Sequence, residues 1–178
     1  MTTLQTKRLF LREFIDDDFP SLYEIFSDPE AMKFYPAPFS QEKTKEWIKN
    51  NQKRYKEDGF GLWAVCLQDT GECIGDCGLV KQQFIDRTEI EIGYHIQRKF
   101  WGYGYATEAA SVCRTYGFKE LEKDRFISII KTGNIASVRV AEKIGMQKER
   151  EDYIFGNYYD IYSVLKNNEV KIDRDVKF

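Results

Sequence analysis

The run Lys99-Phe100-Trp101-Gly102-Tyr103-Gly104-Tyr105-Ala106-Thr107-Glu108-Ala109-Ala110 marks a change of character in this chain. Ahead of it lies Glu89-Ile90-Glu91-Ile92-Gly93-Tyr94-His95-Ile96, which reads as a strand. After it, small residues at helical spacing predict a helix from Gly104 to about Glu120. Between the two, a pair of glycines one residue apart lets the backbone turn so that successive N–H groups converge on one point. That point sits at a helix N-terminus, where orphan donors and the dipole favour an anion. Thr107 adds a hydroxyl there. The run therefore predicts a pyrophosphate cradle. The stripe Ala106, Ala109, Ala110 and Cys113 predicts a helix packed tightly on a sheet, and Glu108 in the first turn suits the dipole.

Other anion cradles fit less well. A P-loop needs a Gly-Lys-Ser/Thr ending, which is absent. A Rossmann finger needs a third glycine, a buried parallel strand before it, and an acid ending the next strand. Here Glu122 and Asp124 precede the next strand instead. A glycine turn that holds no ligand stays open as the bland alternative.

Working outward, strands are predicted over Arg8–Phe14, Phe60–Leu67, Glu72–Phe84, Glu89–Ile96, Arg125–Thr132, Met146–Glu151 and Tyr158–Leu165. Helices are predicted from the Asp16–Asp18 cap to Ser27, from the Ser40 cap to Asp58, over Gly104–Glu120, and over Ile135–Ile144. Asp69-Thr70-Gly71 and Asp86-Arg87 turn the middle strands into an antiparallel meander. Gly75 and Gly78 inside a strand predict a bulge or a close backbone approach. The expected architecture is α/β: a mixed, mostly antiparallel sheet of about seven strands flanked by about four helices on both faces, in one domain over residues 1–178.

Composition excludes several classes. Lys plus Arg is 27 against 29 Asp plus Glu, a net charge of −2, which gives no reason to expect nucleic acid. Cys66, Cys73, Cys77 and Cys113, with a single histidine, lack the spacing of a metal site. They read as buried small hydrophobes. The polar opening and the lack of a long apolar run predict no membrane partner and a cytoplasmic chain with reduced thiols.

The 99–110 run resembles the R/Q-x-x-G-x-G/A signature of the GNAT acetyltransferases. Its Gly-Tyr-Ala-Thr-Glu-Ala wording is similar to the branch of the ribosomal-protein N-terminal acetyltransferases RimJ and RimL. Asn134-Ile-Ala-Ser137-Val-Arg-Val-Ala-Glu-Lys143-Ile-Gly145-Met146, the opening Thr6–Arg12 and the ending Gly156–Leu165 resemble that branch in the same order. Two positions depart. Lys99 stands where the signature has Arg or Gln, and Ala141 stands where many members carry a tyrosine, seven after the Asn. Ser137 offers a hydroxyl three after the Asn.

The resemblance implies an N-acetyltransferase that moves an acetyl group from acetyl-CoA to a primary amine by direct attack in a ternary complex. The amine would be a protein N-terminus or a small molecule. It implies splayed central strands, with Ile92, Tyr94 and Ile96 along the pantetheine arm and the backbone near Tyr94 at the thioester oxygen. Lys99, Trp101, Gly102, Tyr103, Gly104, Tyr105, Ala106, Thr107, Asn134 and Ser137 complete the cofactor site. Ser137 is the candidate acid. Glu91, with Glu89 and His95 on the same strand face, is the candidate base. Phe34, Tyr35, Phe39, His95, Tyr153 and Phe155 are expected around the acceptor. Bland readings remain beside these: Ser137 and Asn134 as helix-cap residues, and His95 as a packed residue. A homodimer would suit the family. A non-catalytic acyl-CoA sensor on the same scaffold stays open, on the strength of Ala141.

Overall fold

In the computed structural model, which describes residues 3–84, 86–154, 156–166 and 177, the chain opens with the short strand β1 (Thr3–Gln5) and returns as β2 (Leu9–Arg12). Asp16–Asp18 forms a single helical turn that leads into α1 (Phe19–Phe26), which buries Leu22, Ile25 and Phe26. Ser40 caps α2 (Gln41–Glu57) as expected, its hydroxyl accepting from Lys43 N–H at 3.2 Å. This charged helix buries only a thin stripe of Thr44, Ile48 and Asn51.

The meander follows: β3 (Leu62–Leu67), β4 (Cys73–Gln83) and β5 (Thr88–Ile96), all antiparallel. Both readings of the strand glycines hold. The β3–β4 register shifts between Val65 and Cys66. A Cβ on Gly75 would stand 2.0 Å from the His95 carbonyl oxygen, and one on Gly78 would stand 2.1 Å from that of Gly61. Side chains at those positions would drive the strands apart.

Helix α3 (Tyr105–Lys119) then crosses to β6 (Arg125–Lys131), followed by α4 (Ile135–Lys143) and the hairpin of β7 (Gln147–Ile154) and β8 (Asn157–Leu165). Among the described residues the sheet has eight strands, in the order β1-β2-β3-β4-β5-β6-β8-β7. The strand beyond the expected seven is β1, whose three residues are too few to show a period.

Two hydrophobic clusters sit on opposite faces. One joins the sheet to α3 and α4 through Trp63, Leu79, Ile92, Ala109, Cys113 and Phe126. The other joins it to α1 and α2 through Phe14, Phe26, Phe39, Ile48 and Val80. The four cysteines are free and buried, with Cys77 and Cys113 sulfurs 3.7 Å apart. Among the described residues, no helix is long and apolar enough to cross a membrane.

One junction differs from the rest. The parallel contact of β5 with β6 carries a single register pair, Glu91 with Ile127. Just beyond it the Ser128 hydroxyl donates to the Ile92 carbonyl at 2.9 Å. Toward Ile96 the ladder has no further register pair, and the two strands part as a wedge.

Candidate active site

The wedge opens toward the glycine loop, and the loop is held from several sides. Gly102 and Gly104 have φ of +82° and +83°, a region that side-chain-bearing residues enter at a cost. Gly104 is the N-cap of α3 and carries no side-chain cap. Among the described residues, none accepts a hydrogen bond from the amides of residues 102–107. The Trp101 indole donates to the Ile96 carbonyl at 2.7 Å, which clips the loop to the end of β5. Arg8 donates to the Tyr103 carbonyl at 3.0 Å, and its guanidinium lies 4.5 Å from the centre of the Tyr105 ring. Tyr103 is exposed and stacks on Tyr105. Ala106 and Thr107 lie half-buried in the first turn.

Glu108 locks this arrangement to the start of the chain. Its carboxylate accepts from Thr6 Oγ1 at 2.6 Å, from Arg8 N–H at 2.9 Å and from Arg8 Nε at 2.7 Å. Burial alone would raise the carboxyl, but these donors outweigh it and hold it below the ordinary glutamate value. The cations around the loop already have partners. Lys99 pairs with Glu72 at 2.9 Å, Arg98 with Asp28 at 3.0 Å, and Arg8 with Glu108 at 2.6 Å. An anion at the loop would therefore be met chiefly by amides and the helix dipole rather than by these side chains.

On the α3–α4 face of the wedge, Ile92 and Ile96 are buried and Tyr94 reaches across to α4. Its hydroxyl donates to the Ser137 carbonyl at 3.1 Å. Burial pushes the phenol well up, so it stays protonated. Asn134 caps α4, its side-chain oxygen accepting from Ser137 N–H at 3.2 Å. The helix-cap reading of Asn134 is the one this geometry shows. Ala141 is fully buried within that core. Glu91 sits at the closed end of the wedge. It accepts from Gln82 at 2.6 Å and faces Ile129 N–H at a long 3.4 Å, and burial raises its carboxyl above the ordinary value.

On the α1–α2 face, the loop after α1 brings Tyr35 onto His95, Oη to Nε2 at 2.6 Å. His95 Nδ1 lies 2.7 Å from the fully buried Asp76. Sequence reasoning did not reach Asp76, because only the β4–β5 register sets it opposite His95. Phe39 packs into the core under Tyr35 and against Phe26. Phe34 is half-buried and carries Lys33 over its ring. Tyr153 is exposed, packs edge-on to Tyr158, and lines a cavity of about 450 Å³ with Gln82, Arg87 and Arg150. Phe155 lies outside the described residues. Glu89 forms ion pairs with Arg87 and Arg125.

Known proteins resemble this chain in sequence and fold. The sequence pattern of the family described as "Acetyltransferase (GNAT) domain" matches residues 8–147. The uncharacterized protein YkkB of Bacillus subtilis is 44% identical over 82% of this chain and 85% of its own length. The uncharacterized N-acetyltransferase YnaD of the same organism is 36% identical over 82% of this chain and 83% of its own. Among solved structures, a GNAT-family acetyltransferase from Bacillus anthracis superposes with a TM-score of 0.79 at 28% identity, covering 94% of this chain and all of that one. On this agreement of sequence and overall fold, the chain belongs to the GNAT family and is an acetyltransferase.

Proposed function

We propose that this acetyltransferase takes its acetyl group from acetyl-CoA and delivers it to a primary amine by direct attack within a ternary complex. One observation carries the reading: the amides of residues 102–107, unspent among the described residues, lie at the start of α3 beside the open end of the β5–β6 wedge. Donors so placed suit a pyrophosphate. The open wedge suits an arm that bonds strand backbone. Acetyl-CoA, when bound, supplies an activated acetyl group on a thiol whose ordinary pKa is about 8.5.

Such a leaving group needs little proton assistance, so the absence of a hydroxyl at Ala141 is tolerable. Ser137 and Tyr94, joined across the mouth of the wedge, are the groups that would face the sulfur. The harder requirement is a neutral amine. At pH 7 an α-amino group is roughly a tenth neutral, whereas a lysine is neutral only about once in 2,500. The difference, on the order of 3 kcal/mol, favours N-terminal amines wherever base assistance is weak. The aromatic rims at Phe34–Tyr35 and at Tyr153 favour an acceptor with some apolar surface.

The test is ligand-induced stabilisation. CoA or acetyl-CoA at about 100 times its Kd is expected to add about 2.7 kcal/mol, with NAD giving no shift. In Gly104→Glu a carboxylate on a strained backbone faces the site for the anion, and the CoA-induced rise in melting temperature is expected to vanish. A folded wild type whose melt ignores both CoA forms would remove the basis for this reading.

A further inference from the structure

Asp76 is fully buried, and both its oxygens are committed. Oδ2 accepts from the Trp47 indole at 2.9 Å, and Oδ1 lies 2.7 Å from His95 Nδ1. Oδ1 is thus placed to accept from Nδ1–H, the tautomer that leaves the Nε2 lone pair facing Tyr35. Tyr35 Oη, 2.6 Å away, donates into that lone pair. Phe26 and Trp47 stand edge-on to the imidazole, at 5.2 and 5.7 Å between ring centres, and fix its plane. The line runs from a buried carboxyl group to a tyrosine that is 40% exposed. A histidine that merely packs among aromatics needs neither a desolvated carboxylate behind it nor a hydroxyl in front.

Its placement matters equally. His95 lies four residues beyond Glu91, the last register pair joining β5 to β6, and so stands in the open wedge. It points to the face opposite Tyr94, whose hydroxyl reaches Ser137. Groups suited to the leaving sulfur and groups suited to the incoming amine thus flank one strand from its two sides.

We propose that Asp76, His95 and Tyr35 form the relay that deprotonates the acceptor amine. The proposal rests on the acetyl-transfer reading above. Tyr35 Oη is the atom that touches the amine. It takes one proton from the substrate ammonium while its own proton passes to His95 Nε2. The Asp76 carboxylate holds the resulting imidazolium in place. The freed nitrogen pair forms the C–N bond to the acetyl carbon, the C–S bond breaks, and its pair leaves with sulfur. The nitrogen's second proton ends on that sulfur, and His95 returns the first to water. Asp76 is a positioning residue. The other titratable groups acting on this line are Glu91, Tyr94 and Tyr159, and Arg54 acts on Glu91. The ring contacts from α1 and α2, Phe26 and Trp47, do not titrate.

Wild type, His95→Gln, Asp76→Asn and Tyr35→Phe are to be assayed with acetyl-CoA and two acceptor probes, phenethylamine and an alanyl peptide, from about pH 6 to about pH 10. Each variant is expected to keep the CoA-induced rise in melting temperature. His95→Gln is expected to lose about 100-fold in kcat/KM toward phenethylamine at neutral pH. The loss should be smaller for the peptide, whose amine is closer to neutrality, and should shrink as pH approaches each amine's own pKa. A deficit under about threefold, or one equal for both amines at every pH, overturns the relay. A wild type that neither binds nor turns over acetyl-CoA instead fails the acetyl-transfer reading. His95 is the only histidine, so nitrogen NMR of its ring needs no assignment. A proton on Nε2 in the wild type overturns the relay whether or not either probe is an acceptor. Nδ1–H that weakens in Asp76→Asn supports it.

Discussion

Glu108 occupies the first turn of α3, where an acid would be mildly favoured by the dipole alone. Here it also gathers Thr6 and two groups of Arg8, fastening the glycine loop to the first hairpin. Its carboxyl is held below the ordinary glutamate value, so its stabilising contribution is full above the unfolded value, about pH 4.3, and is lost as pH falls through the lower folded value. Glu108→Gln is expected to cost about 1–2 kcal/mol at pH 7, discounted for the exposed Arg8 partner. The two proteins should converge at strongly acidic pH, once the wild-type carboxylate is protonated and has lost the same charge. Urea melts at both pH values check this; an equal deficit at both would show that the carboxylate's charge is not what stabilises the loop. This role could not be read from the sequence, because Glu108 and Thr6 are 102 residues apart. The glycines of the same loop could be, since positive φ has a residue type of its own. His95 was visible as the single histidine of the chain, set on a strand. Its partner Asp76 was not, because a carboxylate within Cys73–Gln83 looks like any other strand polar until the register is known.

At the scale of elements, α3 was among the most legible. Its small residues do allow a close approach, and the closest lies at a position the stripe did not include. A Cβ on Gly117 would stand 2.2 Å from the Phe126 ring, which is itself fully buried. Helix propensity alone would make Gly117→Ala stabilising by about 1 kcal/mol. Overpacking a rigid ring costs about 1–3 kcal/mol. A net loss of stability is expected by chemical denaturation, relieved when Phe126→Leu is combined with it. A gain in the single variant would mean that α3 can shift away from the sheet freely. Strand β1 marks the limit of legibility: three residues carry no period, and their place comes from pairing with β2. Phe39 marks another. Directly after Pro38 it looked like a loop aromatic lining a pocket, whereas it fills the core beneath α2.

Across the whole molecule, the meander followed from turn residues and periodicity, and the later helices and strands from their periodicity. The order β6-β8-β7 also places the last hairpin beside the splayed pair, so residues from both ends of the chain border one cleft. If an arm of CoA lies in the wedge, hydrogen exchange should slow in Ile92–Ile96 and along residues 128–131 more than in β1–β3. Uniform slowing would place the ligand elsewhere on a generally stabilised fold. The single pair of Glu91 with Ile127 gives this sheet a mechanical character as well. Five strands make one plate and three make another, joined by one ladder pair, a few side-chain bonds and the helix α3. A guest chain seated in the gap would act as a gusset, so the molecule would be stiffest while loaded and would slacken each time it discharged.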